Sequence, residues 1–252
     1  MKELAIITGG GTGIGKALAV ELAQKHSINV LIVGRRLEPL QGTANINPEK
    51  IKFCVANVAT DEGRYTIVNS IEKNTVVKYL VHNAAILTPV TSLVDLKLKD
   101  WRNHMSINVE APLFLTQALL TRMNNSRILN ISSGAAHRAV AGWAAYCSSK
   151  ATLFMLYQQM NEELNKKNIF VASVRPGVVN TPMQTLLRQS DPNAFPDLPL
   201  FEQYKDEGKL IPVEIVAGFL ADILLNTDND EFSEKEWDIY RDYSKLDDKY
   251  KR

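Results

Sequence analysis

Residues 8–15 read Thr8-Gly9-Gly10-Gly11-Thr12-Gly13-Ile14-Gly15. An apolar run, Leu4–Thr8, leads into them, and a helical pattern, Gly13–His26, leads out. Glycine lets a chain turn sharply and lets backbone approach a ligand closely. A helix that opens directly after such a turn offers free N–H groups and a partial positive charge to a phosphate. The spacing is Gly-xxx-Gly-x-Gly, so the strict G-x-G-x-x-G template does not apply. The order strand, glycine turn, helix is that of the first βαβ unit of a nucleotide-binding fold. The alternative is a glycine-rich turn with no ligand.

Outward from this turn the same alternation continues. Short apolar runs recur at Val30–Val33, Ile51–Val55, Val77–His82, Arg127–Ser132, Phe170–Val174 and Trp237–Tyr240. They show little polar alternation, as expected of strands covered on both faces. Helical patterns lie between them, from Asp61, at Asp100–Met123, at Ala144–Lys166 and at Pro212–Leu225. Pro39, Gly42 and Pro48 keep any helix between Leu37 and Lys50 short. The expectation is an α/β, Rossmann-type, doubly wound fold. Its sheet is mostly parallel and seven-stranded, with helices on both faces, in one domain spanning 1–252. Residues 181–210 are rich in Pro, Asp and Gln and predict an irregular lid. Residues 244–252 predict a charged, solvated tail.

Composition removes several classes. The chain has 252 residues, of which 45% are hydrophobic and 23% charged, the balance of an ordinary globular protein. Lys and Arg total 29 against 28 Asp and Glu, a net charge of +1 that argues against general nucleic-acid binding. Two cysteines, Cys54 and Cys147, exclude a disulfide framework and a four-Cys zinc site. They suit a reduced, cytoplasmic setting. No apolar run reaches membrane-spanning length, and the N-terminal apolar run is too short for a signal peptide. The four histidines show no metal-ligand spacing, so no metal is expected.

Two groups of residues carry the chemistry. The second strand ends in Val33-Gly34-Arg35-Arg36, where a ribose-binding acid would stand in an NAD-binding unit. An arginine there can hold a 2′-phosphate, so Arg35, with Arg36, predicts NADP(H). Tyr146 and Lys150 are four apart in a helical pattern and share one face. A lysine cation near a phenol favours the phenolate, and a tuned tyrosine can exchange a proton with an alkoxide or alcohol. Ser132 and Ser133 close an apolar strand, where a hydroxyl could bind a carbonyl, and Asn108 is a polar residue inside a helix.

Together these residues resemble the short-chain dehydrogenase/reductase family over nearly the whole chain. Thr8–Gly15 is similar to the family's TGxxxGIG turn, and His82-Asn83-Ala84-Ala85 to NNAG. Asn108, Ser133, Tyr146 and Lys150 match its catalytic tetrad in order and spacing. Arg175-Pro176-Gly177 with Thr181 resembles its PG motif. The resemblance implies that Tyr146 is the general acid in carbonyl reduction and Ser133 holds the carbonyl oxygen. Lys150 would hold the nicotinamide ribose and lower the tyrosine pKa, and Asn108 would support a proton relay through water. Hydride would come from the nicotinamide. The cofactor would lie along Gly9, Gly11, Thr12, Gly13 and Ile14, then Arg35 and Arg36. Asn57 and Val58 would meet the adenine. Asn83, Ala84 and Ala85 would line the ribose side, Pro176 and Gly177 would turn beside the nicotinamide, and Val179 and Thr181 would contact its carboxamide.

The chain departs from the family pattern at His82, at Ala85, at Asn57 for the usual Asp, and at Thr12 where NADP-dependent members often carry a base. Gly142-Trp143-Ala144-Ala145-Tyr146-Cys147 and Pro176–Gln184 resemble the sepiapterin reductase and benzil reductase branch. That branch implies Trp143 and Met183 as apolar walls for a flat substrate, and Asp238 as a carboxylate anchor for a pterin. Core packing and a surface Asp at a strand end are the alternatives for these three. The implied function is NADPH-dependent reduction of a ketone or diketone, sepiapterin or benzil-like. A dehydrogenase acting on another secondary alcohol and a non-catalytic NADP(H) sensor are the rivals. A hydrolase is excluded because Ser133 lacks a G-x-S-x-G elbow. The family also implies a homodimer, or a tetramer built from it, through the helices holding Asn108 and Tyr146. Leu115, Leu119, Phe154 and Leu156 are candidate interface positions there, with packing on the sheet as their alternative.

Overall fold

A computed structural model describes residues 2–251. Strands β1 (Lys2–Thr8), β2 (Val30–Gly34), β3 (Ile51–Val55) and β4 (Thr75–His82) alternate with helices α1 (Gly13–Lys25), α2 (Leu37–Ala44) and α3 (Asp61–Asn69). Helix α4 (Leu98–Met105), a π turn (Ser106–Glu110) and α5 (Ala111–Leu119) lead to β5 (Ser126–Ile131). Then follow α6 (Ala144–Leu164) and β6 (Ile169–Arg175), and a segment holding α7 (Pro182–Leu187) and α8 (Leu198–Asp206). The described chain continues with α9 (Val213–Asn226), α10 (Asn229–Glu234), β7 (Glu236–Asp238) and α11 (Ile239–Asp242).

The seven strands form one sheet in the order β3-β2-β1-β4-β5-β6-β7, every pairing parallel. The order reverses between β1 and β4, which opens a crevice at the carboxyl ends of the strands. Successive strand residues point to opposite faces. Ile7 therefore packs with Leu18, Leu22 and Leu220, under α1 and α9. Ile6 packs with Leu115, Ile128 and Tyr157, under α5 and α6. Both faces are covered, which explains the near-continuous apolar strands.

Four expectations need correction. The helix expected over Asp100–Met123 starts at Leu98 and carries a π turn within it, where Ala111 N donates to Ser106 O. The last strand stops at Asp238, because the Asp238 carboxylate caps α11 by accepting from Tyr240 N at 3.0 Å. Ile239 and Tyr240 therefore start a helix. Residues 181–210 hold two helices rather than an irregular loop. The tail is not fully solvated, since Leu246 and Tyr250 are buried with the α1 and α9 core.

Candidate active site

The glycine turn is fastened from below by Thr8 and Asn83. Thr8 Oγ1 accepts from Asn83 N and Ala84 N, each at 3.0 Å, and donates to Val81 O at 3.3 Å. The Asn83 amide donates to Thr8 O at 2.8 Å and to Gly9 O at 3.3 Å. Asn83 thus spends its amide nitrogen holding the turn rather than lining a ribose. Gly9 has φ +70°, and a Cβ there would fall 2.8 Å from Asn83 Nδ2 and 3.0 Å from Ala84 Cα. Only glycine suits both constraints. Gly11 O accepts from Thr43 Oγ1 at 3.4 Å, which ties the turn to α2.

Thr12 stands at the N-cap of α1 in extended conformation and makes no side-chain cap bond. The first turn of α1 contains no acid, and no cap side chain takes its leading N–H groups. Ile14 turns its side chain to the core, leaving only its backbone to face a ligand. An open groove with about 430 Å³ of empty volume runs past Gly9, Arg35, Asn57, Val58, Ala84 and Ala85. Arg35 and Arg36 are exposed at its mouth and make no ion pair among the described residues. Asn57 Oδ1 accepts from Ala59 N at 3.2 Å, so part of that side chain shapes its own turn. The glycine cradle and the helix terminus fit a dinucleotide, and two guanidinium groups stand free beside them.

On the other side of the crevice, α6 brings Tyr146 and Lys150 to the ends of β5 and β6. Tyr146 is buried, and burial pushes its phenol up to about 12, with a Ser133 hydrogen bond pulling the other way. Lys150 is also buried, and burial pushes its ammonium down to about 8. Its Nζ donates to Ile131 O at 2.7 Å and lies 5.8 Å from the Tyr146 ring centroid. The expected lowering of the phenol by Lys150 is therefore absent from the free protein. Desolvation dominates, and the ammonium is bonded to a backbone carbonyl. Ser133 caps a short turn by accepting from Ala135 N at 3.2 Å.

Asn108 sits in the π turn with its amide fully engaged. Its Oδ1 accepts from Ile86 N, and its Nδ2 donates to Ile86 O and to Ser149 Oγ, all at 2.9 Å. Ser149 Oγ in turn donates to Tyr146 O at 2.8 Å. Asn108 thus ties the loop after β4 to the helix carrying Tyr146.

A group of aromatic side chains roofs the phenol. Trp143 stacks on Phe195 at 5.3 Å, meets Tyr146 edge-on at 5.5 Å and lies 5.6 Å from Phe201. Met183 and Cys147 pack at the margin of this cluster. Gly142, at φ +81°, brings the segment before α6 so close to residues 181–210 that a Cβ would lie 2.4 Å from Ala194 O. Phe195 and Phe201 were not singled out in the sequence, because an irregular stretch gives no periodicity to place them.

The remaining expected residues divide. Pro176 is buried, and Gly177, at φ +81°, turns beneath Tyr240, whose hydroxyl accepts from Val178 N at 3.0 Å. Val179 buries its side chain and pairs with Ile211 through Val178 O and Asn180 N. That leaves the N–H and C=O of Val179 unused by this bridge. Thr181 lies against Gly13, 3.3 Å from where a Cβ would stand. Asp238 is not a free carboxylate. It pairs with Arg175 Nη2 at 2.7 Å as well as capping α11. Leu115 and Leu119 are fully buried on the sheet, so they are not outer positions. The exposed large apolar residues of α5 and α6 are Phe114 and Met155. His82 is buried, Nε2 lies 2.8 Å from Thr116 Oγ1, and burial pushes its imidazole down to about 3. Among the described residues no His, Cys, Asp or Glu group could hold a metal, and no helix is long and apolar enough to cross a membrane.

Known proteins share this architecture. The chain is 30% identical to benzil reductase ((S)-benzoin forming) of Bacillus subtilis, covering 88% of this chain and 93% of that one. It is 31% identical to the protein of the same name from Bacillus cereus, covering 92% and 96%. Among solved structures, the KRED1-Pglu enzyme superposes with a TM-score of 0.83 at 26% identity, over 94% of this chain and 100% of that one. A short chain dehydrogenase/reductase of Saccharomyces cerevisiae shares the fold with a TM-score of 0.87 at 24% identity, over 94% and 96%. The family model for short chain dehydrogenase matches residues 3–192, the stretch that holds the glycine turn, Asn108, Ser133, Tyr146 and Lys150. The chain belongs to the short chain dehydrogenase family, oxidoreductases that use a nicotinamide cofactor.

Proposed function

We propose that this protein is an NADPH-dependent carbonyl reductase whose substrates are aromatic ketones and 1,2-diketones of the benzil type. The observation that carries the reading is the buried phenol of Tyr146, beside Ser133 and under the Trp143–Phe195–Phe201 roof. A phenol held at about 12 keeps its proton at neutral pH. An alkoxide forming beside it is a stronger base and takes that proton. Ser133 Oγ orients the carbonyl oxygen toward the phenol, and the aromatic roof accepts a flat ring and excludes water.

The cofactor, when bound, supplies the hydride. Arg35, with Arg36 beside it, binds the 2′-phosphate, and the α1 N-terminus with Gly11, Thr12 and Gly13 binds the pyrophosphate. Lys150 holds the nicotinamide ribose, and the unused N–H and C=O of Val179 hold the carboxamide, with Thr181 beside them. Asn108 positions Tyr146 through Ser149. With its amide spent, its share in a water relay falls to its backbone.

Benzil is favoured over sepiapterin by two side chains. Asp238 is committed to Arg175 and to its cap, so binding a pterin would break an existing pair. Trp143 Nε1 is buried without an acceptor among the described residues. The second oxygen of a 1,2-diketone would satisfy it. The two free thiols suit a cytoplasmic setting, and Phe114 and Met155 suit a homodimer interface.

The test is NADPH oxidation by purified protein with benzil and sepiapterin in parallel. Turnover of benzil alone, unchanged in Asp238→Ala except for stability, supports the reading. Turnover of sepiapterin lost in Asp238→Ala replaces it with a pterin reductase. Tight NADPH binding with neither substrate consumed favours a cofactor sensor or another carbonyl. A monomer by sedimentation at micromolar concentration would remove the homodimer.

A further inference from the structure

A row of polar side chains crosses the sheet behind Lys150, and the chemistry above uses none of it. His82 on β4, Asn130 on β5, Ser173 on β6 and Glu236 on β7 are in register with one another. Residues in register on parallel strands share a face, and neighbouring strands lie about 4.8 Å apart. This is the face covered by α5 and α6. Ile128 packs there with Tyr157 and Met160, while Leu129 and Ile131 pack on the opposite side.

Asn130 is fully buried, and neither Oδ1 nor Nδ2 has a hydrogen-bond partner among the described residues. Ser132, two residues on and on the same face, is also buried, with Oγ unpartnered. The carbonyl of Ile131 lies between them and accepts from Lys150 Nζ at 2.7 Å. Lys150 reaches it from the same stripe of α6 as Leu153, Tyr157, Met160 and Leu164. A buried polar group without a partner is costly. An ordered water with two to four polar partners is the usual remedy.

The far end of the row leads outward. Ser173 Oγ donates to Glu236 Oε1 at 2.9 Å. Glu236 Oε2 lies 2.5 Å from His137 Nε2, and His137 reaches solvent with 37% of its side chain exposed. We propose that Asn130 and Ser132 hold a buried water against Lys150, and that this water, Ser173, Glu236 and His137 form a proton route from solvent to Lys150.

The route rests on the reductase reading, in which each turnover consumes one proton. Tyr146 gives its proton to the new alcohol, and the phenolate takes one from the Lys150 ammonium. The Lys150 amine takes a proton from the water as the Ser173 hydroxyl gives one to it. Ser173 is reloaded from Glu236, Glu236 from the N–H of His137 Nε2, and the His137 ring from solvent at its other nitrogen. No electron moves, and one proton enters for each that leaves on the alcohol. Other groups face this path. Arg175 Nε lies 3.4 Å from Glu236 Oε2, and Arg175 Nη2 is taken by Asp238. Arg241 Nη2 donates to Glu236 O at 2.8 Å, Tyr157 on α6 senses the Glu236 charge, and the Phe154 ring lies 4.7 Å from His137. Asn130 acts here as a positioning residue.

The experiment compares wild type, Asn130→Leu and Glu236→Gln, with NADPH and benzil, from pH 5.5 to 9 in light and heavy water. Asn130→Leu should lower kcat roughly tenfold and raise its solvent isotope effect, with KM for NADPH unchanged. Glu236→Gln should likewise lower kcat and alter its pH dependence, which keeps the route testable where Asn130→Leu does not fold. Folded variants with unchanged kcat, isotope effect and pH profile would overturn the route. A high-resolution crystal structure of the NADPH complex decides it independently. A water within hydrogen-bond distance of the Asn130 amide and Ser132 Oγ supports the proposal. A dry amide overturns it even where benzil is not consumed and the reductase reading has failed.

Discussion

The two sides of the crevice are built from different materials. On the β1–β2 side, the binding surface is mostly backbone, with the turn after Thr8, the first N–H groups of α1 and a groove open to solvent. Its two charged contributors, Arg35 and Arg36, stand exposed and make no ion pair among the described residues. On the β5–β6 side, the surface is made of side chains, and Tyr146, Lys150, Asn108 and Trp143 are all buried. The difference follows from the task. A phosphate needs many weak donors and a nearby positive charge, which exposed groups supply. Proton transfer needs a group whose affinity is set by its surroundings, and burial sets it. Substitutions on one side should therefore change affinity, and on the other rate or stability.

The sharpest break of that division is at Tyr146. Tyr146→Phe should lower kcat about 10²–10⁴-fold while NADPH affinity, read by fluorescence titration, stays the same. A comparable loss of affinity would show that the two sides are one. Phe195→Ala removes the stacking partner of Trp143 and should cost about 3–5 kcal/mol in urea unfolding. A loss of under 1 kcal/mol would make residues 181–210 a loose cover rather than part of the packed side.

His82 marks the seam between the two halves. Its folded-state imidazole is held down at about 3 against an ordinary 6.5, so the folded form is neutral and acid favours the unfolded chain. The stability tied to this group is full above pH 6.5 and is lost as the pH falls toward 3. Between pH 7 and 4.5 the wild type should lose roughly 2–3 kcal/mol more than His82→Asn. Parallel unfolding curves for the two would remove His82 from the acid response. Arg35→Ala should weaken NADPH binding by about 1.5–3 kcal/mol and leave NADH binding unchanged. Equal losses for both cofactors would make Arg35 a general charge rather than a reader of the 2′-phosphate.

The sequence reads more clearly on the backbone side than on the side-chain side. The glycine turn is visible because its residue types are rare in a strand-helix junction, and the inner strands show as apolar runs because both faces are covered. The tetrad is legible through spacing, since Tyr146 and Lys150 share one face of a helix. What spacing cannot show is a contact between distant segments. Nothing around Asn108 announces that its amide is spent on Ile86 and Ser149, or that Ala194 O would touch a side chain at Gly142. Asp238 reads as a strand-end acid, yet its partner Arg175 is 63 positions earlier. The direction of the Tyr146 shift was likewise hidden. The sequence brings Lys150 near the phenol, but only the packing shows that desolvation outweighs it. Ile239 and Tyr240 look like strand residues until the Asp238 cap is seen.

The burial of Leu246 and Tyr250 bears on how the protein is made. They belong to the same cluster as Ile7, Leu18 and Leu22, which the ribosome delivers more than two hundred residues earlier. One half of the interior therefore cannot close until residue 250 has left the exit tunnel. Until then α1 carries its apolar stripe without its full cover, a contact of the long-range kind that slows folding and invites aggregation. The apolar cluster under α5 and α6 takes its last buried residue at Val171, some eighty residues sooner. Vectorial synthesis thus completes the apolar cluster under α5 and α6 first and leaves the α1 face as the stretch a chaperone would shield.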